Sequence, residues 1–246
     1  MTRNDLTMPE LAGPGRIALT CLLAAALLSA CGTSAPAAPP WQFEARSALD
    51  RATAAYLDGR TRIEAAEMSR ARSALAGSGR ADLLANAELT LCAAQVASLV
   101  FEACPAFDAL RADATPAQLA YAAYLRGQAT AGSTALLPEA QRAVAQGASA
   151  PPASGDALSQ LVAAGVLLQS GRASPAVAAQ AVDVASAQGW RRPLLAWLGV
   201  QLRLAGQGGA ADEAAQIRRR IALVESSLKT PATSLPLSSV RAASAP

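Results

Sequence analysis

The chain has 246 residues, a formal net charge of +3, four cysteines and no histidine. The missing imidazole excludes Ser-His-Asp triads, most zinc sites and the commonest general base. The modest charge, almost all of it arginine with Lys229 the only lysine, gives no expectation of nucleic-acid binding.

The first element is the apolar run Ile17 to Ala30. Its 14 residues fall short of the roughly 20 that a membrane-spanning helix needs. They match the apolar core of a secretory signal, about 7–15 residues. Arg3 and Arg16 give the preceding segment positive charge, diluted by Asp5 and Glu10, and Met1 and Met8 both stand as possible starts. The run ends in Leu28-Ser29-Ala30-Cys31. These four residues resemble the lipobox of bacterial lipoproteins: an aliphatic residue, two small ones, then cysteine. The resemblance implies a diacylglyceryl group on the Cys31 thiol, cleavage before Cys31 and acylation of the new amine. The alternative is an ordinary cleaved signal with an incidental cysteine. Position 32 is Gly rather than Asp. By similarity to enterobacterial lipoproteins this implies an outer-membrane address, on the periplasmic face.

"GTSAPAAPP" follows, uncharged and rich in small residues and proline, and it reads as a tether. Two or more acyl chains hold a protein stably on a bilayer without any span. The expected organisation is therefore a signal over 1–30, a tether over 31–40, a helical body over 41–228 and a disordered tail over 229–246. Cys21 leaves with the signal and Cys31 takes the lipid. Cys92 and Cys104 remain, 12 positions apart in an oxidising compartment, and a disulfide is expected. The alternative is a pair of buried thiols packed as small hydrophobes.

The body is alanine-rich with regular leucine and arginine, a composition that favours helix. Trp41 to Leu57 places apolar residues at three- and four-residue steps and stops at Gly59. A second helix, with Thr61 as its expected cap, runs to about Leu75, and a third from about Arg80 to Leu99. A short helix is expected at Pro105, where proline suits a first turn. Thr115 and Pro116 open another, and one more starts at about Leu137. Ala148 to Gly155 reads as a loop. Four helices then follow: one from Asp156, one capped by Ser174 with Pro175 behind it, one from Arg191, and one carrying Ile217, Ile221, Val224 and Leu228 on a single stripe.

The turns at Gly59, Gly127, Gly171 and Gly206 look alike, and their separations are 68, 44 and 35 residues. The first is twice 34 and the last is close to it, which resembles the period of tetratricopeptide repeats. "WLGVQL" at Trp197 to Leu202 is similar to the core of a repeat's first helix, with Leu202 where an aromatic usually stands. The fold class expected is all-α, built of antiparallel helix hairpins, as a TPR-like solenoid or as an irregular bundle. The segment Leu89 to Phe107 is similar to uncharacterised proteobacterial lipoproteins, which implies no activity.

No catalytic constellation is evident. The acids Glu44, Asp50, Glu64, Glu67, Glu88 and Glu102 are unmarked by their flanks, and "GQGG" at Gly206 lacks the Lys-Ser/Thr of a phosphate loop. Neither metal nor cofactor is expected, and the reading is not an enzyme. Trp190, Arg191, Arg192, Tyr121 and Tyr124 are the candidate binding residues, since tryptophan and arginine concentrate at interaction hot spots. Core packing is the competing role for both tyrosines, and Trp197 is expected between helices. Arg218 to Arg220 fan round a helix and read as a solvated face. The expected function is a lipid-anchored periplasmic adaptor, held to the bilayer through acylated Cys31 and presenting a helical surface to another envelope protein. A peptidoglycan or small-ligand binder is the alternative.

Overall fold

The computed structural model describes residues 39–153 and 155–229. The expected lipidation site at Cys31, the signal and the tail beyond Lys229 lie outside the described residues. Helices account for most of the chain, and no strand occurs among the described residues. We label them α1 (Pro40–Leu57), α2 (Thr61–Ala76), α3 (Ala81–Ala97), α4 (Pro105–Asp108), α5 (Pro116–Leu125), α6 (Glu139–Ala145), α7 (Ala157–Gln169), α8 (Pro175–Gln188), α9 (Arg191–Gln207) and α10 (Ala211–Lys229). Tighter 3-10 turns at Arg111–Asp113 and Ala131–Leu136 join α4 to α5 and α5 to α6.

The starts follow side-chain chemistry. Thr115 accepts from the Gln118 backbone N–H, and the Gln118 side chain accepts from the Thr115 N–H at 2.8 Å, a complete capping box ahead of Pro116. Asp156 and Ser174 cap α7 and α8 in the same sense, accepting from Ser159 N and Val177 N. Thr61 does not cap α2. It is the first helical residue after Arg60.

The ends follow backbone chemistry. Helix α9 runs through Gly206 and turns at Gly209, where φ is +69° and the next amide returns to Ala205 O at 2.9 Å. At the end of α3 the same left-handed position is held by Leu99, φ +61°, with Val100 N on Gln95 O at 2.9 Å. A bulky side chain rarely adopts that conformation. What recurs is one helix plus its turn: left-handed residues stand at 59, 79 and 99, and again at 189 and 209, each step being 20 residues.

Helices α3 and α7 form the centre. Helix α3 touches α1, α2, α4, α5 and α7, and α7 touches α3, α5, α6 and α8. They approach closely because small residues line the crossing: Ala93, Ala94 and Ala97 on α3 and Ala163, Ala164 and Gly165 on α7 are all buried. A Cβ at Gly165 would stand 2.4 Å from Val96 O, so only glycine fits. Helix α9 then closes the structure. The buried Trp197 indole donates to Ala97 O at 3.1 Å. Arg192 Nε donates to Tyr56 O at 2.7 Å, and its guanidinium lies 4.2 Å above the Tyr56 ring.

In a stacked array each repeat meets only its neighbours. Here α9 packs on α1, far earlier in the chain, so the contacts fit the bundle form of the expected all-α fold. The N-terminal helices are also tied by charge. Glu67 of α2 takes Arg51 from α1 and Arg70 from its own helix, at 2.8 and 2.7 Å. Glu88 of α3 holds Arg72 of α2 through two bonds, of 2.6 and 2.8 Å. Cys92 in α3 is bonded to Cys104, which precedes α4, across a Cα separation of 6.1 Å.

Candidate functional site

Helix α3 is buried along most of its length but carries a polar stripe at four-residue steps: Asp82, Asn86 and Thr90. Steps of four keep side chains on one face of a helix. Two open hollows meet on that stripe, sharing Asn86 and Thr90. One, of about 600 Å³, lies toward α1 and includes Trp41, Leu49, Leu75 and Leu83. The other, of about 550 Å³, lies toward α5 and includes Gln118, Tyr121, Leu136 and Leu137. Together they form a trough across α3, apolar at its α5 end, amide- and hydroxyl-bearing in the middle, and mixed at its α1 end, where Arg46, Asp50 and Arg80 stand beside Trp41 and the leucines.

Gln118 fixes that middle. Its amide donates to Asp82 O at 2.6 Å and to Asn86 Oδ1 at 2.7 Å while its oxygen completes the α5 cap. One buried side chain thus joins α3 to α5 and orients Asn86, which is itself exposed. Asp82 is engaged by Arg80 through two bonds of 2.8 and 2.7 Å. Those bonds hold its carboxyl below the usual carboxylate range.

Tyr121 and Tyr124 are one turn apart on α5, their rings parallel to within 13° with centroids 6.3 Å apart. Tyr121 is half-buried and lines the trough. Burial, with Asp156 adding to it, pushes its hydroxyl above the ordinary tyrosine range, so it stays a proton donor. Tyr124 is fully buried and belongs to the core. Its hydroxyl donates to Gln141 Oε1 at 2.7 Å, and the Gln141 amide donates to Ser159 O at 3.2 Å, a satisfied polar chain from α5 through α6 to α7.

The other expected binding residues lie elsewhere. Trp190 precedes α9, half-buried against the core. Arg191 reaches Ser227 O at 3.4 Å, and Arg192 is taken up by Tyr56 and Thr61. None of the three lines the trough. No family model matches this chain, nor does any curated protein or solved structure.

Glu67 and Glu88, two of the acids noted in the sequence, are committed to arginines. Among the described residues no cluster of three or more Cys, Asp and Glu side chains could hold a metal ion. Asn86, Thr90 and Gln118 were not singled out as binding residues. The signal that marks the first two is the 82/86/90 stripe of polar residues at four-residue steps along α3. Gln118 is identifiable only as half of a capping box.

Proposed function

We propose that the protein is a lipid-anchored adaptor on the periplasmic face of the outer membrane, which holds a segment of another envelope protein in the trough over α3. The observation that carries this reading is the pair of hollows meeting at Asn86 and Thr90. They give a bound chain an apolar seat at the α5 end, aromatic, leucine and charged partners (Arg46, Asp50, Arg80) at the α1 end, and amide and hydroxyl partners between, the mix that protein interfaces use. Anchorage rests on the resemblance of Leu28 to Cys31 to a lipobox. No described helix is long and apolar enough to cross a membrane.

The test is photo-crosslinking in cells. A benzophenone side chain is placed at Thr90 or Ala117, in the trough, and at Ala179, exposed on α8, as a control. A discrete crosslinked envelope protein from the first two positions and none from the third is the expected result. Equal labelling at all three, or none in the trough, would remove the adaptor reading.

The row Asn86, Thr90 and Tyr121 favours one second reading, a glycan ligand, since amides, hydroxyls and an aromatic face suit a sugar. Co-sedimentation of the purified protein with peptidoglycan sacculi, abolished by Asn86→Ala, would replace the adaptor with a peptidoglycan binder.

A further inference from the structure

The middle of the trough gives more hydrogen bonds than it can take, because most of its acceptors are already used. Gln118 Oε1 accepts from the Thr115 N–H, so the other end of that amide must donate, and it does so to Asp82 O and Asn86 Oδ1. Two backbone groups thereby fix which way both amides face. The Asn86 oxygen is turned to Gln118, and its NH2 group has no partner among the described residues. Asn86 is exposed where the two hollows meet. Of the other acceptors, Thr115 Oγ1 takes the Gln118 N–H, the Asp82 carboxylate takes Arg80, and Asn86 O takes the Thr90 hydroxyl at 2.9 Å. What is left is the pair of N–H donors on Asn86 and the lone pairs of the Thr90 oxygen.

An occupant must match that imbalance. An ordinary extended chain brings one N–H with every carbonyl, and each N–H buried without a partner costs free energy. A strand needs a sheet edge to pair with, and no strand occurs among the described residues. A helix spends its carbonyls on its own amides and needs an unbroken apolar groove, which Asn86 and Thr90 interrupt. Proline brings a carbonyl and no N–H. In a polyproline II segment the carbonyls are unspent and the shape is set beforehand. Its rings pack on aromatic and leucine side chains, here Trp41 and Leu83 in one hollow and Tyr121 and Leu136 in the other. At about 3.1 Å per residue, about four residues cross the roughly 10 Å width of a helix such as α3. Arg46 and Arg80 stand against Asp50 and Asp82, so the lining asks no charge of its occupant. We propose that the segment held in the trough is proline-rich and extended, bound through its carbonyls to the Asn86 amide, with proline rings seated on Trp41 and Tyr121. This inference rests on the adaptor reading and names the chemistry of its partner.

The experiment titrates the protein, purified from membranes in detergent, into two dye-labelled peptides with blocked ends and reads fluorescence anisotropy. One peptide is three Ala-Pro-Pro triplets and the other three Ala-Gly-Ser triplets. A preference of roughly tenfold for the proline peptide is expected, the worth of carbonyls that bring no unpaired N–H. Asn86→Asp keeps the oxygen that accepts from Gln118 and exchanges the NH2 group for a second acceptor. It should weaken the proline peptide by roughly tenfold and leave the melting temperature in place. Leu136→Ser removes an exposed seat at the other hollow and should weaken it too, whereas Ala179→Ser, on the exposed face of α8, should not. Equal affinity for the two peptides, no binding of either, or proline-peptide binding untouched by both Asn86→Asp and Leu136→Ser overturns the inference. Crosslinking from Thr90 in cells separates this failure from that of the adaptor. A discrete crosslinked envelope protein without proline preference leaves the adaptor standing and refutes the proline-rich partner alone. Neither crosslink nor preference refutes both.

Discussion

Gly165 and the three tyrosines give the sharpest tests at the scale of single residues. Gly165→Ala pushes a methyl group into the Val96 carbonyl, and neither backbone can yield without separating α3 from α7. The expected loss is about 1–3 kcal/mol, as for other overpacked cores. Thermal melting of the purified variant measures it; an unchanged midpoint would mean that the crossing is looser than described. The chain has only three tyrosines, and Tyr56, Tyr121 and Tyr124 all have hydroxyls raised above the ordinary value, chiefly by burial. The neutral form is therefore favoured by folding. Its contribution is fully present below about pH 10, where free tyrosine titrates, and is lost as pH rises toward the folded values. Tyrosinate absorbance at 295 nm should rise at higher pH in the folded protein than in the unfolded chain and appear in full with alkaline unfolding. A normal titration of even one tyrosine would contradict the burial assigned to it.

At the scale of elements, the sequence made most helices legible because caps, prolines and turn glycines are local signals. Pro116, Pro175 and Ser174 stand where they were expected. Boundaries failed where the local signal is ambiguous. Gly206 reads as a stop, yet α9 continues to Gln207, because a helix tolerates one glycine and the left-handed conformation is needed only at Gly209. The end of α3 was legible to within two residues, but not the left-handed Leu99, since nothing local marks a leucine for that conformation. The Cys92–Cys104 bond ties this strained end to the start of α4. Reduction should lower stability by about 2–3 kcal/mol, the chain-entropy value for so short a loop. Denaturant titration with and without a reductant checks this, and coincident curves would show that the bond constrains little.

At the scale of the whole molecule, turn spacing suggested an array, whereas the contacts describe closure. Sequence spacing reports hairpin lengths. It carries no information on whether the last hairpins return to the first. That return depends on Arg192 meeting the Tyr56 carbonyl and Trp197 meeting that of Ala97, partners 136 and 100 residues apart. The trough was hidden for the same reason: Asn86 and Tyr121 become neighbours only when α5 packs on α3. Closure has a consequence for unfolding. One cooperative transition is expected, with tryptophan fluorescence and helical circular dichroism coinciding across a urea titration. An array of near-independent repeats would separate the two curves. Arg192→Ala should move both together to lower urea, by about 1–2 kcal/mol, as for other lost charge-assisted bonds.

The claim on which membrane location and adaptor role both depend is that Cys31 carries the anchor. The intact mass of the protein purified from membranes, before and after thiol reduction, tests it most directly. The account predicts a chain that begins at Cys31, bears two or three acyl chains and gains two protons on reduction as Cys92 and Cys104 separate. A mature chain that begins elsewhere, or one without acyl mass, would contradict it.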